Sequence, residues 1–345
     1  MLSHKMPNTE TSELSFDEVI TALRDESNPF PARYLYRLSG LEGEELGLLT
    51  RVWPDLSTNR RLGLLEDMEM LADSNMVMHF DAVNRVALGD EDARVRFTAV
   101  RSLWPSEQPA LVPKLLDLLD NDDNTEVRAQ AAAALGRFIY LGEVGKIPEA
   151  TLKQTEERLL DIMGSDEDEI IQRRALESLG YSSRAEVPDL IEEAYESDDD
   201  DWITSALFAM GRSADDRWAP LVIERLNDSS VELSREAARA AGELELSEAL
   251  PTLVDLLQDE DSELRLAAAW SLSQIGGNGV AEALEELLER SDDEDEIDLI
   301  ENAIENLALT QEMGELNLMD LSPEDLEDIA HPNGNSERSE DPAEE

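Results

Sequence analysis

The chain has 345 residues, with 81 Asp and Glu against 28 Lys and Arg, so its formal net charge is 28 − 81 = −53. Such a surface repels nucleic acid, whose binding rests on phosphate neutralisation by basic side chains, and it repels anionic membranes for the same reason. The absence of cysteine excludes disulfides, thiolate metal sites and Cys nucleophiles, and a composition 41% hydrophobic but only 5% aromatic calls for a core of Leu, Ala, Val and Ile, which suits helix-on-helix packing.

Residues 1–13 are polar and show no apolar segment of the signal-peptide kind; they read as a disordered N-terminus. No uninterrupted apolar stretch approaches a membrane span, so the expectation is a soluble, cytoplasmic protein. Residues 14–54 read as a helical N-terminal cap. From 55 to 310 one pattern recurs: acidic residues, an apolar residue often followed by Arg, Ala three residues on, and Leu-Gly at the end. Its clearest copy carries Val127-Arg128, Ala131-Ala132 and Leu135-Gly136, and it returns over 92–104, 168–180, 199–211, 228–242 and 261–276. With the place of Arg128 as a ruler, the equivalent residues are Arg96, Arg128, Gln172, Ile203, Ser234 and Arg265. The steps are 32, 44, 31, 31 and 31 residues, the long one holding an insertion at 140–150. A weaker copy at Leu299-Ile300 follows, and degenerate copies lie around Arg61 and Pro31.

Each copy follows a second apolar segment of helical period, so each unit is a first helix, an acidic turn and a second helix. The Asp, Ser and Asn clusters before the second helices read as N-caps. Gly136, Gly180, Gly211 and Gly242 read as left-handed caps that end those helices. Pro113, Pro148, Pro188, Pro220 and Pro251 fall in or near the first turns of the first helices. Such a unit buries its apolar stripe only by stacking on neighbours. The fold class is therefore all-α, an α-α superhelix of about eight to nine hairpins. Residues 311–330 read as a C-terminal capping helix, with Ser322 as N-cap and Pro323 in its first turn, and 331–345 as an acidic disordered tail.

The Val127-Arg128, Ala131-Ala132 and Leu135-Gly136 signature resembles the HEAT-like repeat first named from phycobilin lyases, over roughly residues 55 to 310. The chain also resembles bacterial HEAT-repeat proteins with a helical N-terminal extension, a group with no assigned activity. The likeness implies a solenoid; such arrays serve as scaffolds, adaptors and a few enzymes, so fold alone assigns no activity.

Chemistry-bearing motifs are few. The HEAT-repeat deoxyhypusine hydroxylases build a di-iron site from His-Glu pairs on successive second helices. Here His4, His79 and His331 are followed by Lys5, Phe80 and Pro332, so that site is absent, and one structured histidine supplies neither a triad nor a zinc site. His79 reads as a core or rim histidine. The segment 120–124 begins like a calcium loop, but Thr125 stands where glycine is needed and Ala131 where the bidentate Glu belongs; 292–296 fails in the same way, with Ile297 at the glycine position. Both read as solvated helix caps, as does 198–201. The glycines of 276–279 form a turn without the Gly-Lys-Ser/Thr ending of a phosphate loop. No cofactor and no metal are expected.

The candidate partner-binding residues come from columns on the second helices. Five residues after the ruler stand Arg101, Ala133, Glu177, Phe208, Arg239 and Trp270; one residue after it stand Phe97, Ala129, Arg173, Thr204, Arg235 and Leu266. The turns beyond these helices add a rim of Arg137, Tyr181, Arg184, Arg212, Arg217 and Trp218. Arg and aromatic residues are those enriched at interaction hot spots. The competing reading is that the arginines neutralise neighbouring carboxylates, which suits Arg96, Arg128 and Arg265 best. Trp202 and the methionines 68, 70, 76 and 78 read as core. The expected function is a non-enzymatic scaffold, monomeric, that holds a protein or peptide on its concave face; the alternative is a lyase-like or accessory protein acting on a pigment or other small molecule.

The acidic, Lys-poor composition, with Lys only at 5, 114, 146 and 153, suits a salt-rich cytoplasm and equally a GC-rich genome. On the first reading the far-UV circular dichroism of the fold is lost at low salt; a melting temperature independent of KCl excludes it.

Overall fold

The computed structural model describes residues 14–75 and 77–319, with side chains to 310. The segments 1–13 and 331–345, the helix expected at 322–330 and Met76 lie outside the described residues. All regular structure among the described residues is helical, in seventeen α-helices and five short 3₁₀ turns.

The chain divides into two compact units, Met1–Ser213 and Ala214–Glu345. The first opens with α1 (Phe16–Arg24), a 3₁₀ turn (Ala32–Arg37), α2 (Gly43–Val52) and α3 (Thr58–Ser74). Four hairpins follow: α4 (Asp81–Ala87) with α5 (Ala93–Ser102), α6 (Val112–Asn121) with α7 (Thr125–Glu143), α8 (Glu149–Met163) with α9 (Glu169–Leu179), and α10 (Val187–Tyr195) with α11 (Asp200–Arg212). The second unit holds three: α12 (Ala219–Arg225) with α13 (Val231–Glu243), α14 (Leu250–Leu256) with α15 (Ser262–Ile275), and α16 (Val280–Arg290) with α17 (Glu294–Met319). In each hairpin the first, or A, helix packs on its own second, or B, helix. The B helices also stack in sequence: α3 on α5, α5 on α7, α7 on α9 and α9 on α11 in one unit, α13 on α15 and α15 on α17 in the other.

The acidic turns start the B helices as their sequence requires. Asp92 Oδ1 accepts the Arg94 N–H at 3.0 Å, Asn124 Oδ1 that of Val127 at 3.1 Å, Asp199 Oδ1 that of Asp201 at 2.8 Å and Asp261 Oδ1 that of Leu264 at 2.8 Å. Pro113, Pro188, Pro220 and Pro251 occupy the first turns of A helices, and Pro148 is the N-cap of α8. The 44-residue step lengthens a hairpin: α7 runs on for 19 residues and α8 for 15.

The alanine three residues after the ruler is the innermost side chain of the stack. Ala99, Ala131, Ala175, Ala206, Ala237 and Ala268 are all fully buried. Its role is spacing: a methyl lets neighbouring backbones approach while still excluding water.

The glycines at the ends of the B helices correct the sequence reading. None of Gly136, Gly180, Gly211 and Gly242 has a positive φ, and three of them lie inside their helices. Gly136, Gly180 and Gly242 are needed for close contact instead. A Cβ on Gly180 would lie 2.7 Å from the carbonyl oxygen and 2.8 Å from the Cα of Ala209 on α11; one on Gly242 would lie 2.8 Å from the Cα of Ser271 on α15; one on Gly136 would lie 3.1 Å from the Cα of Ser178 on α9. The serines facing Gly136 and Gly242 bond across the gap: Ser178 donates to the Ala132 carbonyl at 2.9 Å and Ser271 to the Ala238 carbonyl at 2.7 Å. The left-handed residues stand further on, at Gly145, Ala214 and Glu245. After α13 the Leu246 N–H reaches back to the Ala241 carbonyl at 3.0 Å, and after α7 the Lys146 N–H reaches the Leu141 carbonyl at 2.8 Å, the six-residue closure of a helix C-terminus. Other expectations divide. Met68 is buried, whereas Met70 is 71% exposed and Trp202 is half-buried.

Two substitutions test these assignments. Gly180→Ala drives a methyl into backbone that no side-chain rotation relieves, and urea unfolding should show a loss of about 1–3 kcal/mol. Glu245→Gly relieves a left-handed non-glycine residue at an exposed helix end and should raise stability by up to about 1 kcal/mol in the same measurement.

Candidate functional site

Charge pairing decides which basic residues remain open to a partner. The ruler arginines are structural. Arg61, the ruler residue of the degenerate copy, is 3% exposed and pairs at 2.9 Å with Asp90, whose carboxylate is fully buried and also accepts the Trp53 indole N–H at 2.7 Å. Arg96 bonds the carbonyls of Asp90 and Glu91 with one nitrogen and the Asp122 carboxylate, in the next turn, with two others at 2.7 Å. Burial alone would raise the Asp122 carboxyl; the Arg96 guanidinium and the Asn124 N–H outweigh it and hold the group below its ordinary value. Arg265 repeats the arrangement, bonding the Asp259 and Glu260 carbonyls and the Glu296 carboxylate at 2.6 Å. Arg128 pairs with Glu167. Each of these ties one acidic turn to the next. The calcium-like segment 120–124 is thereby accounted for: Asp122 is an ion-pair partner and Asn124 a cap.

The stripe arginines are paired as well. Arg101 makes a forked contact with Glu69 at 2.9 and 2.5 Å. Arg173 lies 2.6 Å from Asp201, Arg239 3.6 Å from Glu236, and Arg235 bonds Glu263. On the rim, Arg137 pairs with Glu107 at 2.6 Å, Arg184 with Glu186 at 2.7 Å and Arg217 with Asp215 at 2.6 Å. The columns therefore carry side chains whose positive charge is met within the chain. Trp218, placed on the rim from sequence, is 5% exposed: it is a packing residue, not a contact surface.

Two groupings of candidate residues remain. In the first unit, the Arg212 guanidinium lies 3.9 Å from the Phe208 ring centroid, 4.7 Å from that of Tyr181 and 5.7 Å from that of Trp104, and donates to the Glu177 carbonyl at 3.1 Å. Tyr181 in turn stands 5.5 Å from Tyr140, over which Arg137 lies at 5.5 Å. Arg137, Tyr181, Phe208 and Arg212 thus form one cation–aromatic ridge. Trp104 was not among the sequence candidates. Its signal was legible: it stands eight residues after the ruler, where four of the other five copies carry glycine and the last carries Ser273. Trp104 and Tyr140 present their rings to solvent at 37% and 38% exposure.

In the second unit, α13, α15 and α17 bound an open groove of ≈ 800 Å³. Ala267 and Ala303 are buried along it, Trp270 and Leu299 project at 39% and 53% exposure, and Arg239 and Asn302 stand exposed beside them. A large indole left open next to an apolar groove is a feature that monomeric surfaces seldom carry without a use.

Paired helices, B-on-B stacking and a turn-to-turn ion-pair ladder define an α-solenoid. A family model described as HEAT repeats matches residues 69–136 and 219–308. Among solved structures the chain is similar to the complex of CpcE and CpcF of phycocyanin lyase from Nostoc sp. PCC7120, with 21% identity and a TM-score of 0.44 over 66% of this chain and 94% of that one. It is similar to human deoxyhypusine hydroxylase, with 20% identity and a TM-score of 0.36 over 85% and 96%, and to Kap95p in its structure with RanGDP, with 13% identity and a TM-score of 0.39 over 85% and 45%. No curated protein matches the sequence.

The ladder predicts a graded response to substitution. Asp90→Ala leaves the buried Arg61 with only the exposed Glu91 carboxylate, strips the Trp53 indole N–H of its acceptor, and should cost about 3–5 kcal/mol in urea unfolding. Arg94→Ala, which removes an exposed pair with Asp92, should cost less than about 1 kcal/mol.

Proposed function

We propose that the chain is a non-enzymatic scaffold that holds a segment of a partner protein against the exposed faces of its B helices. The observation that carries the reading is the groove of the second unit, where Trp270 and Leu299 stand open above the buried Ala267 and Ala303. An aromatic anchor beside small buried residues, with polar side chains around it, is the arrangement in which a few contacts dominate binding. The partner segment is basic, because the chain has 81 carboxylates for 28 Lys and Arg and the stripe arginines are already matched to carboxylates of their own chain. The stripe and rim arginines Arg101, Arg137, Arg173, Arg184, Arg217, Arg235 and Arg239 act by fixing carboxylate positions, and Tyr181, Phe208 and Arg212 by building the ridge of the first unit.

Affinity capture from extracts of the native cell, compared between wild type and Trp270→Ala, tests the reading. Partners held by the groove should be lost with Trp270→Ala while the melting temperature is kept. Arg173, Arg235 and Arg239 changed together to Glu should lower the melting temperature, through repulsion of Asp201, Glu263 and Glu236, without weakening capture of a basic segment by loss of positive charge. Identical partner sets for wild type and Trp270→Ala would overturn the groove.

A further inference from the structure

The glycine turn at 276–279 joins the α14–α15 hairpin to the α16–α17 hairpin, and the scaffold reading does not use it. Gly276, Gly277 and Gly279 have φ of +67°, +118° and +84°, a backbone that glycine adopts without strain. The Val280 N–H bonds the Gly277 carbonyl at 3.4 Å, which closes a turn with Asn278 and Gly279 at its centre. Asn278 is exposed, and its side-chain amide has no hydrogen bond among the described residues. Among those residues it is also the one asparagine followed by glycine. The others are placed differently: Asn124 caps α7 and precedes Thr125, Asn84 is buried, and Asn302 and Asn306 lie within α17. The Gly279 N–H, at the N-cap of α16, is likewise without a hydrogen bond among the described residues. A Cβ on Gly279 would meet nothing within 4 Å, so the space around this peptide is open.

These features meet the needs of one reaction. The nitrogen after an asparagine, once it has lost its proton, can attack the side-chain Cγ and close a cyclic imide. The Cα–C bond of the asparagine must first rotate to bring Cγ onto that nitrogen. A helix forbids this, because its N–H groups are bonded and its backbone is fixed; a following side chain crowds it. Gly277 and Gly279 leave the rotation free on both sides. We propose that Asn278 is a site of spontaneous deamidation, and that the isoaspartate it yields loosens the turn that enters α16. The Gly279 nitrogen bonds to Cγ as the bond from Cγ to the amide nitrogen breaks, and ammonia leaves. Solvent water then opens the imide. Attack at Cγ restores the backbone with aspartate at 278; attack at the main-chain carbonyl carbon leaves the chain running through Cγ, as isoaspartate. The sum is amide plus water to carboxylic acid plus ammonia, with no oxidant or reductant. The two products differ in effect. Aspartate adds a carboxylate next to the first turn of α16, where a helix favours it. Isoaspartate adds a methylene to the backbone inside the ring that the Val280 N–H closes, so that hydrogen bond is lost at the point where the buried Val280 anchors α16.

The test incubates the full chain in neutral and in mildly alkaline buffer, with an unincubated sample as control. Trypsin then releases residues 266–290, a peptide that holds no other asparagine. In wild type this peptide should gain the mass shift of an amide turned to an acid, at a rate that rises up to about tenfold for each unit of pH, as loss of the Gly279 proton requires. The product should separate into two forms, one of them a substrate for protein-isoaspartate methyltransferase with S-adenosylmethionine. Asn278→Gln, a change at an exposed side chain, should keep the melting temperature and give no shift. An aspartate product alone, a shift that fragmentation places at Gln274, or a native chain that stays intact while the free peptide of residues 274–283 deamidates would each overturn the site. Amide exchange at Val280 should be faster in the isoaspartate-bearing chain than in the fresh chain or in Asn278→Asp. Equal exchange in all three would overturn the loosening of the turn.

Discussion

Within each unit B helices lie on one another backbone to backbone where glycine allows it: α7 on α9 and α9 on α11 in the first, α13 on α15 in the second. Where Gly180 faces Ala209 and Gly242 faces Ser271, the approach leaves no room for a single added methyl. That contact sets the spacing of the stack. It fixes why alanine recurs three residues after the ruler, since a larger side chain there would part the helices that glycine draws together. It also explains the serines, which supply a hydrogen bond across a gap too narrow for a longer polar group. Hydrophobic burial drives the stacking, but small residues decide its geometry.

Electrostatics is layered over that geometry and works mostly inward. A chain so rich in carboxylates could hold its arginines as open binding groups; it uses them to join acidic turns whose repulsion would otherwise push repeats apart. The buried Arg61–Asp90 pair and the Arg96–Asp122 fork fix the register of adjacent turns, while exposed pairs such as Arg101–Glu69 contribute little to stability and much to where carboxylates point. What is left exposed is therefore apolar and anionic rather than basic.

Much of the fold was legible because its signals are local. Asp92, Asn124, Asp199 and Asp261 cap helices within three residues of themselves, and prolines in first turns need no tertiary context. The ruler arginines were also legible as carboxylate partners. The glycines were not: Leu-Gly near a helix end has the look of a left-handed cap, and only the neighbouring helix shows that it is a contact. The stripe was half legible. Its residues do share B-helix positions, yet whether Arg173 or Arg235 is free depends on Asp201 and Glu263 in the following repeat. The ridge was least legible, because Trp104 and Arg212 belong to hairpins separated by two others, and no local pattern in the sequence places them 5.7 Å apart.

The ion-pair ladder is uneven along the chain. Arg61, Arg96 and Arg128 each reach forward to an acid of the next turn, and Arg265 does so again. Between them Gln172 and Ser234 reach only carbonyls before their own helices, and Ile203 has no polar group to offer. Exposed charge pairs soften as ionic strength rises, whereas rungs as buried as Arg61–Asp90 and Arg96–Asp122 are screened far less, and apolar contacts tighten under excluded salts. Added salt therefore acts mainly on the repulsion among exposed carboxylates and leaves the buried rungs in place, so the repeats that carry a forward arginine keep their register in dilute and in strong salt alike.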